Sequence, residues 1–281
     1  MKAQGSTEYL VTLGAILFIG LIVSVVLFWP VGTTKDVKQS QTDVKYKIQA
    51  MNPASLKTGL VAYWKFDEGS GSTVSDSSGS NNGTLVNGPT WVSGKTGSAL
   101  QFDGVNDYVN FGAPSALNLG TGDFTLAAWI NPASAMLSTT NREFCILGNS
   151  QSDWARGAYI EVSTWGGKAG NSYVNGIGMN VAGLTLEAGN WYHVVLTRNS
   201  STMKIYVNGA YTGTRSNAAI AGNATYQDWR VGYPEPGAYY FNGKIDEAMI
   251  YSRALSSDEV ELLYTVPNVL KSDSIFNMGT P

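Results

Sequence analysis

The sequence predicts an all-β sandwich preceded by one hydrophobic N-terminal α-helix, and three observations predict it. Short runs of alternating apolar and polar residues recur from Leu56 to about Tyr264, each bounded by turn residues. Charged residues make up only 14% of the chain while Gly, Ser, Thr and Asn abound, which suits a many-turned sheet with a polar, little-charged surface. Ahead of the strands, Tyr9–Trp29 is an uncharged apolar run of 21 residues, about the length of a helix that crosses a ~30 Å hydrocarbon core.

The first element is that apolar run. A secretory signal has a shorter core followed by a small-residue cleavage site. Here the core is followed by Trp29-Pro30-Val31-Gly32-Thr33-Thr34, and the polar, cleavable-looking sequence comes before it. Lys2-Ala3, Gln4-Gly5-Ser6-Thr7-Glu8-Tyr9-Leu10 and the apolar run together resemble the class III signal peptide of archaeal type IV pilin-like proteins. The resemblance implies a leader of residues 1–3, cut by a prepilin peptidase between Ala3 and Gln4. It also implies that Glu8 pairs with the N-terminal ammonium of a neighbouring pilin-like subunit during filament assembly. Such pairing is physically reasonable, because a charge at a membrane helix centre costs ~2.5–3.5 kcal/mol. The alternative is an uncleaved anchor, with Glu8 favoured in the first helical turn by the helix dipole. Pro30 and Gly32 should end the membrane or filament-core helix of residues 4–30. Residues 31–55 read as a stalk.

The strands follow in order. Leu60–Phe66, Leu100–Phe102 and Tyr108–Phe111 have strand character, and Phe124, Leu126, Ala128 and Ile130 alternate with Thr125, Ala127 and Trp129. Tyr192–Leu196 reads similarly. Met203, Ile205 and Val207 alternate with Lys204 and Tyr206 before Asn208-Gly209, a hairpin turn in which both central residues tolerate positive φ. Ile245–Tyr251 is the last strand, and Ser256 or Ser257 caps a short helix ending near Tyr264. One domain over residues 56–266 is expected, with 267–281 as a tail.

A second resemblance rests on an ordered set of blocks. These are Gly59-Leu-Val-Ala-Tyr-Trp-Lys-Phe-Asp-Glu-Gly69, Asp76–Gly83, Ala99–Val109, Phe124–Ile130, Asn190–Val195, Tyr206–Gly209 and Phe241–Ser256. They resemble the laminin-G-like branch of the concanavalin A-like lectin/glucanase superfamily, which implies a jelly-roll topology for the sandwich. Fold alone does not give function, because the fold hosts lectins, glycosidases and inert spacers.

Charge and residue types narrow the function. Loss of Lys2 with the leader leaves 17 basic residues against 21 acidic ones, a formal charge of −4, and no basic block is present, which argues against nucleic-acid binding. The single cysteine, Cys145, excludes an intrachain disulfide framework and reads as a buried small hydrophobe. The single histidine, His193, reads as a structural strand residue. The same-strand Glu-x-Asp-x-(x)-Glu pattern usual in glucanases of the superfamily is missing. Asp67-Glu68 and Asp246-Glu247 are adjacent pairs whose side chains are expected on opposite faces of a strand. Catalysis is therefore not expected.

The resemblance does imply a structural calcium, an ion that takes six to eight oxygen ligands. Glu68 and Asp246 are its first candidates, while Asp103 reads as a turn former. For sugar binding, exposed aromatics are needed to stack on C–H surfaces. Trp154–Tyr159 with Trp165, and the Pro/Gly-rich Trp229–Tyr240, have that composition, with Trp165, Tyr233 and Tyr239 as candidates. Trp64, Trp129 and Trp191 are expected inside. Asn82, Asn199 and Asn223 lie in N-x-[ST] sequons, acceptors if the chain is exported.

These readings converge on a pilin-like surface protein, membrane-inserted as a precursor and then displayed outside the cell. Its helix assembles into a filament or anchors, and its sandwich serves adhesion through a surface glycan or coats the filament. A head of about 210 residues is bulky for dense helical packing and favours a minor or tip subunit. The alternatives are a non-assembling membrane-anchored lectin and a surface glycosidase.

Overall fold

The structure, a computed structural model, describes residues 53–140, 142–150, 157–164, 172–174, 177–179, 186–215, 228–233, 239–266 and 269–270. The leader with Ala3 and Gln4, Glu8, the apolar helix, the stalk up to residue 52, Trp165 and Asn223 lie outside these residues.

A 3₁₀ segment, Pro53–Lys57, leads into strands β1 (Leu60–Trp64), β2 (Thr73–Val74), β3 (Gly83–Val86), β4 (Thr90–Ser93), β5 (Ser98–Asp103) and β6 (Tyr108–Gly112), after which comes a second 3₁₀ segment, Ser115–Leu117. Next come β7 (Phe124–Pro132), the one-turn helix α1 (Ser134–Leu137), β8 (Glu143–Ser150), β9 (Gly157–Ser163), β10 (Ser172–Val174) and β11 (Ile177–Met179). The chain then forms β12 (Tyr192–Asn199), β13 (Thr202–Val207), β14 (Ala210–Arg215), β15 (Trp229–Val231), β16 (Asn242–Tyr251) and helix α2 (Ser257–Thr265).

Two antiparallel sheets form the sandwich. One has the order β14-β13-β12-β7-β16-β5-β4, with β1 also paired to β16; the other runs β2-β3-β6-β15-β8-β9. The core between them collects every second residue of the facing strands: Leu126, Ala128 and Ile130 from β7, Val194 and Leu196 from β12, Ile160 and Val162 from β9. Trp64 stacks on Phe111 with ring centroids 3.7 Å apart, and its indole N–H donates to the Asn81 carbonyl at 2.7 Å. Trp229 donates likewise to the Leu117 carbonyl at 3.0 Å, so both buried indoles keep a hydrogen bond. Trp64 and Trp129 are buried as expected, whereas Trp191 is half-buried just ahead of β12.

The outer face of the eight-stranded sheet carries a second apolar layer. Tyr63, Ala127, Val195, Tyr206, Met249 and Tyr251 are covered by Val260, Leu262 and Leu263 of α2, together with Leu56 and Val269. Packing therefore reaches past residue 266, the expected end of the sandwich, because Val269 finds an apolar seat and is only 2% exposed. Ser256 caps α2 with a complete capping box: its hydroxyl accepts from the Glu259 N–H, and Glu259 accepts from the Ser256 N–H. The β13–β14 hairpin turns at Asn208 (φ 51°) and Gly209 (φ 76°), as the Asn-Gly pair predicts.

One expectation fails at β16. Asp246 and Glu247 do not point to opposite faces, because the register slips between Asp246 and Met249 and Glu247 sits at φ 52°. A β-bulge inserts an unpaired residue and breaks the alternation. Both carboxylates accordingly reach Thr96: Asp246 Oδ2 accepts from its N–H at 3.1 Å, and Glu247 Oε1 from its hydroxyl at 2.6 Å.

Candidate functional site

The outer face of the six-stranded sheet concentrates polar and aromatic groups. In β6, Val109 and Phe111 turn into the core, so Tyr108 and Asn110 face outward; in β15, Trp229 and Val231 are inside and Arg230 is outside. Strand pairing sets one row across this face, running Thr84, Asn110, Arg230, Gly148 and Tyr159. Gly148 is a gap in the row that no side chain can fill, since a Cβ there would lie 2.3 Å from Tyr159 Cβ.

Arg230 is the centre of an aromatic array. Its guanidinium lies 5.5 Å from the Tyr108 ring centroid and 6.0 Å from that of Tyr233, within cation–π range. Tyr233 stacks on Tyr240 with centroids 4.1 Å apart and planes 16° from parallel. Asp228 Oδ2 accepts from Asn110 Nδ2 at 3.0 Å and lies 3.5 Å from Arg230 Nη2, which ties acid, amide and guanidinium together beside the rings. At the rim, the Arg142 guanidinium covers the Tyr239 ring at 4.1 Å, and Tyr239 is 38% exposed. Of the sugar candidates, the structure thus groups Tyr233 with Tyr108, Tyr240 and Arg230, and sets Tyr239 beside Arg142.

Glu161 lies on the same outward face. Its strand neighbours Ile160 and Val162 belong to the core, while Glu161 itself is 1% exposed and neither carboxyl oxygen has a hydrogen-bond partner among the described residues. Burial, reinforced by the nearby Glu143, pushes its carboxyl well above the ordinary glutamate range and favours the protonated form. Sequence reasoning missed Tyr108, Asn110, Arg230 and Glu161. The period-2 pattern of Tyr108-Val-Asn-Phe111 and of Ala158-Tyr-Ile-Glu-Val162 contained the signal, once their apolar members were assigned to the core.

The calcium candidates are placed apart in function. Glu68 is exposed and accepts from the Ser75 N–H at 2.8 Å. Asp246 is fully buried, and its Oδ2 accepts from the Lys95 and Thr96 N–H groups at 2.8 and 3.1 Å, fastening the β4–β5 turn. Gly94 opens that turn because a Cβ there would come 2.6 Å from Asp246 Oδ2. Glu247 accepts from Thr96 and from the Tyr63 hydroxyl. Backbone N–H and hydroxyl donors thus reach Glu68, Asp246 Oδ2 and Glu247. Among the described residues no group of three or more His, Cys, Asp or Glu side chains is placed to hold a metal.

The remaining candidates are simply placed. Asp103 Oδ1 accepts from the Val105 and Asn106 N–H groups, the turn-forming role expected. Cys145 is buried, and burial with Lys95 nearby pulls the His193 imidazole down to about 3, so it is neutral beside Trp129. Asn82 and Asn199 are exposed; the Asn82 side-chain oxygen accepts from the Asp76 N–H at 2.9 Å.

Fold and site together define an all-β sandwich with an aromatic, guanidinium-bearing face. The profile of the concanavalin A-like lectin/glucanase superfamily matches residues 103–261, and the chain belongs to that superfamily. Among solved structures it is similar to domain 4 of AbnA, an extracellular arabinanase from Geobacillus stearothermophilus, in complex with arabinotriose. That match has TM-score 0.59 and 19% identity, covering 73% of this chain and 98% of the other. It is also similar to the binding domain of Paraclostridial mosquitocidal protein 1 (TM-score 0.59, 19% identity, 79% of this chain and 53% of that one). A third similar structure is the botulinum neurotoxin serotype D binding domain (TM-score 0.54, 14% identity, 75% and 52%). The chain thus spans about half the length of both toxin domains. No curated protein matches it. Likeness at this identity speaks for the fold alone.

Proposed function

We propose that the sandwich is a glycan-binding head that works by recognition without chemistry, and that the part of the six-stranded sheet's outer face around Arg230 is its binding surface. The observation that carries this reading is the Arg230 guanidinium lying over both Tyr108 and Tyr233 beside Asn110 and Asp228. Tyrosine rings offer flat apolar faces for sugar C–H groups, and the amide, carboxylate and guanidinium supply donors and acceptors that orient hydroxyls. Similarity to a domain whose structure holds arabinotriose makes that sugar the first probe. Titration of the full chain with arabinotriose and other neutral oligosaccharides tests the proposal. Tyr233→Ala and Arg230→Ala should each weaken whichever interaction is found.

The N-terminal sequence supplies the second half of the reading. Cleavage before Gln4, with Glu8 pairing between subunits, would carry the head on a type IV-like filament at the cell surface. Mass spectrometry of the native N-terminal peptide tests this part. A mature chain that starts at Gln4 supports pilin-type processing, and an intact Met1 start removes it in favour of a plain anchor.

A further inference from the structure

The outer face of the eight-stranded sheet is only partly covered by α2. Beyond the start of that helix, β12, β13 and β14 continue, and a groove of ≈ 690 Å³ opens between them and the residues entering the helix. Its floor is Tyr206, 3% exposed and packed into the apolar layer beneath α2. Its wall is Tyr211, which lies opposite Tyr206 in the β13–β14 pairing and is 54% exposed. The two rings meet edge to face, centroids 5.9 Å apart at 69°, a favourable arrangement that leaves one side of Tyr211 open. Thr197, Thr202 and Ser257 add hydroxyls around the opening, and Lys204 adds one ammonium.

We propose that this groove is a second carbohydrate site, specific for neutral oligosaccharides and separate from the face that carries Arg230. The volume is that of an ordinary small-ligand site. An exposed tyrosine packed against Tyr206 presents a flat surface to the C–H face of a pyranose or furanose ring. Hydroxyl side chains both donate and accept, so they match sugar hydroxyls whichever way those are oriented. An apolar ligand would leave the same hydroxyls unpaired, which is unfavourable. An anionic ligand would meet a single lysine beside the carboxylate of Glu259, which Arg253 already holds at 2.7 Å. Two sites on opposite faces would let one head bridge two glycan chains, gaining avidity without new contacts.

The test is a nuclear magnetic resonance titration of the full chain with arabinotriose, cellotriose and maltotriose at millimolar concentration. Amide shifts at Thr197, Lys204 and Thr214 report the groove, and those at Asn110 and Arg230 report the other face. The expected result is that at least one sugar moves the groove amides. Tyr211→Ala should then weaken that response about tenfold, and Thr202→Val should weaken it less, while any response at Arg230 is unchanged. Groove amides that stay still with all three sugars overturn the proposal. So do groove shifts whose midpoint is the same in both variants. A silent Arg230 face with a responsive groove would remove only the site proposed above.

Discussion

Replacement of Glu259 by Gln tests how the sandwich is closed. Glu259 is the point where three segments meet: it accepts from Ser55 before β1 at 2.8 Å, from both terminal nitrogens of Arg253 after β16, and from the Ser256 N–H at the helix start. Burial raises its carboxyl, but the hydrogen bonds from Arg253, Ser256 and Ser55 outweigh that and bring it from 4.5 down to about 2. A difference of that size favours the charged form by about 3.4 kcal/mol in full. The side chains of Arg253 and Glu259 retain 27% and 16% exposure, so solvent screening reduces the value to ~1.5–2 kcal/mol. Glutamine preserves the shape but turns one accepting oxygen into an NH2 donor, so the substitution removes the charge together with the bonds that oxygen accepts. At neutral pH, Glu259→Gln should lower Tm by ~3–8 °C in differential scanning calorimetry, given ~2–4 °C per kcal/mol for a domain of this size. The folded value is depressed, so the contribution is complete above 4.5 and is lost as pH falls through about 2. Parent and variant curves should therefore converge on acidification through that window. Equal Tm values at pH 7, or a constant gap down to pH 2, would refute the reasoning.

Two further substitutions address the buried acids. Glu161→Gln should raise Tm at neutral pH: the folded carboxyl sits above its unfolded value, so the parent loses stability as pH rises above the ordinary glutamate range, and the variant should not. A lower Tm in the variant at pH 7 would mean that the carboxylate is satisfied and useful. Asp246→Ala strands the Lys95 and Thr96 N–H groups and should cost about 1–3 kcal/mol for each one left buried without an acceptor, while a calcium chelator should leave the parent's melting curve unmoved. A chelator-induced drop in Tm would show that calcium is bound after all.

The sandwich was legible because several of its strands keep period-2 patterns and its turns use residues with one conformational meaning. Phe124–Ile130 and Met203–Val207 alternate as core and outer face in the structure, Asn208-Gly209 turns the hairpin, and Ser256 caps its helix. The paired orientation of Asp246 and Glu247 was not legible, because a bulge depends on how the partner strands register and leaves no local mark. The candidate site was legible only in part. Aromatics in the Pro/Gly-rich Trp229–Tyr240 stretch stood out by composition. Their partners Tyr108 and Asn110 lie more than a hundred residues away and join them only because β6 pairs with β15. Glu161 escaped notice because a lone acid in a strand looks solvated, and nothing in its sequence neighbours marks it as 1% exposed.

Glycan binding by the full chain is the measurement that meets the central claim most directly. Isothermal titration against a panel of neutral oligosaccharides, arabinotriose first, should give saturable binding that Arg230→Ala and Tyr233→Ala each weaken by about tenfold with no change in Tm beyond a few degrees. The absence of binding across the panel, or binding unaltered in both variants, would contradict the assignment of the six-stranded face as a sugar-binding surface.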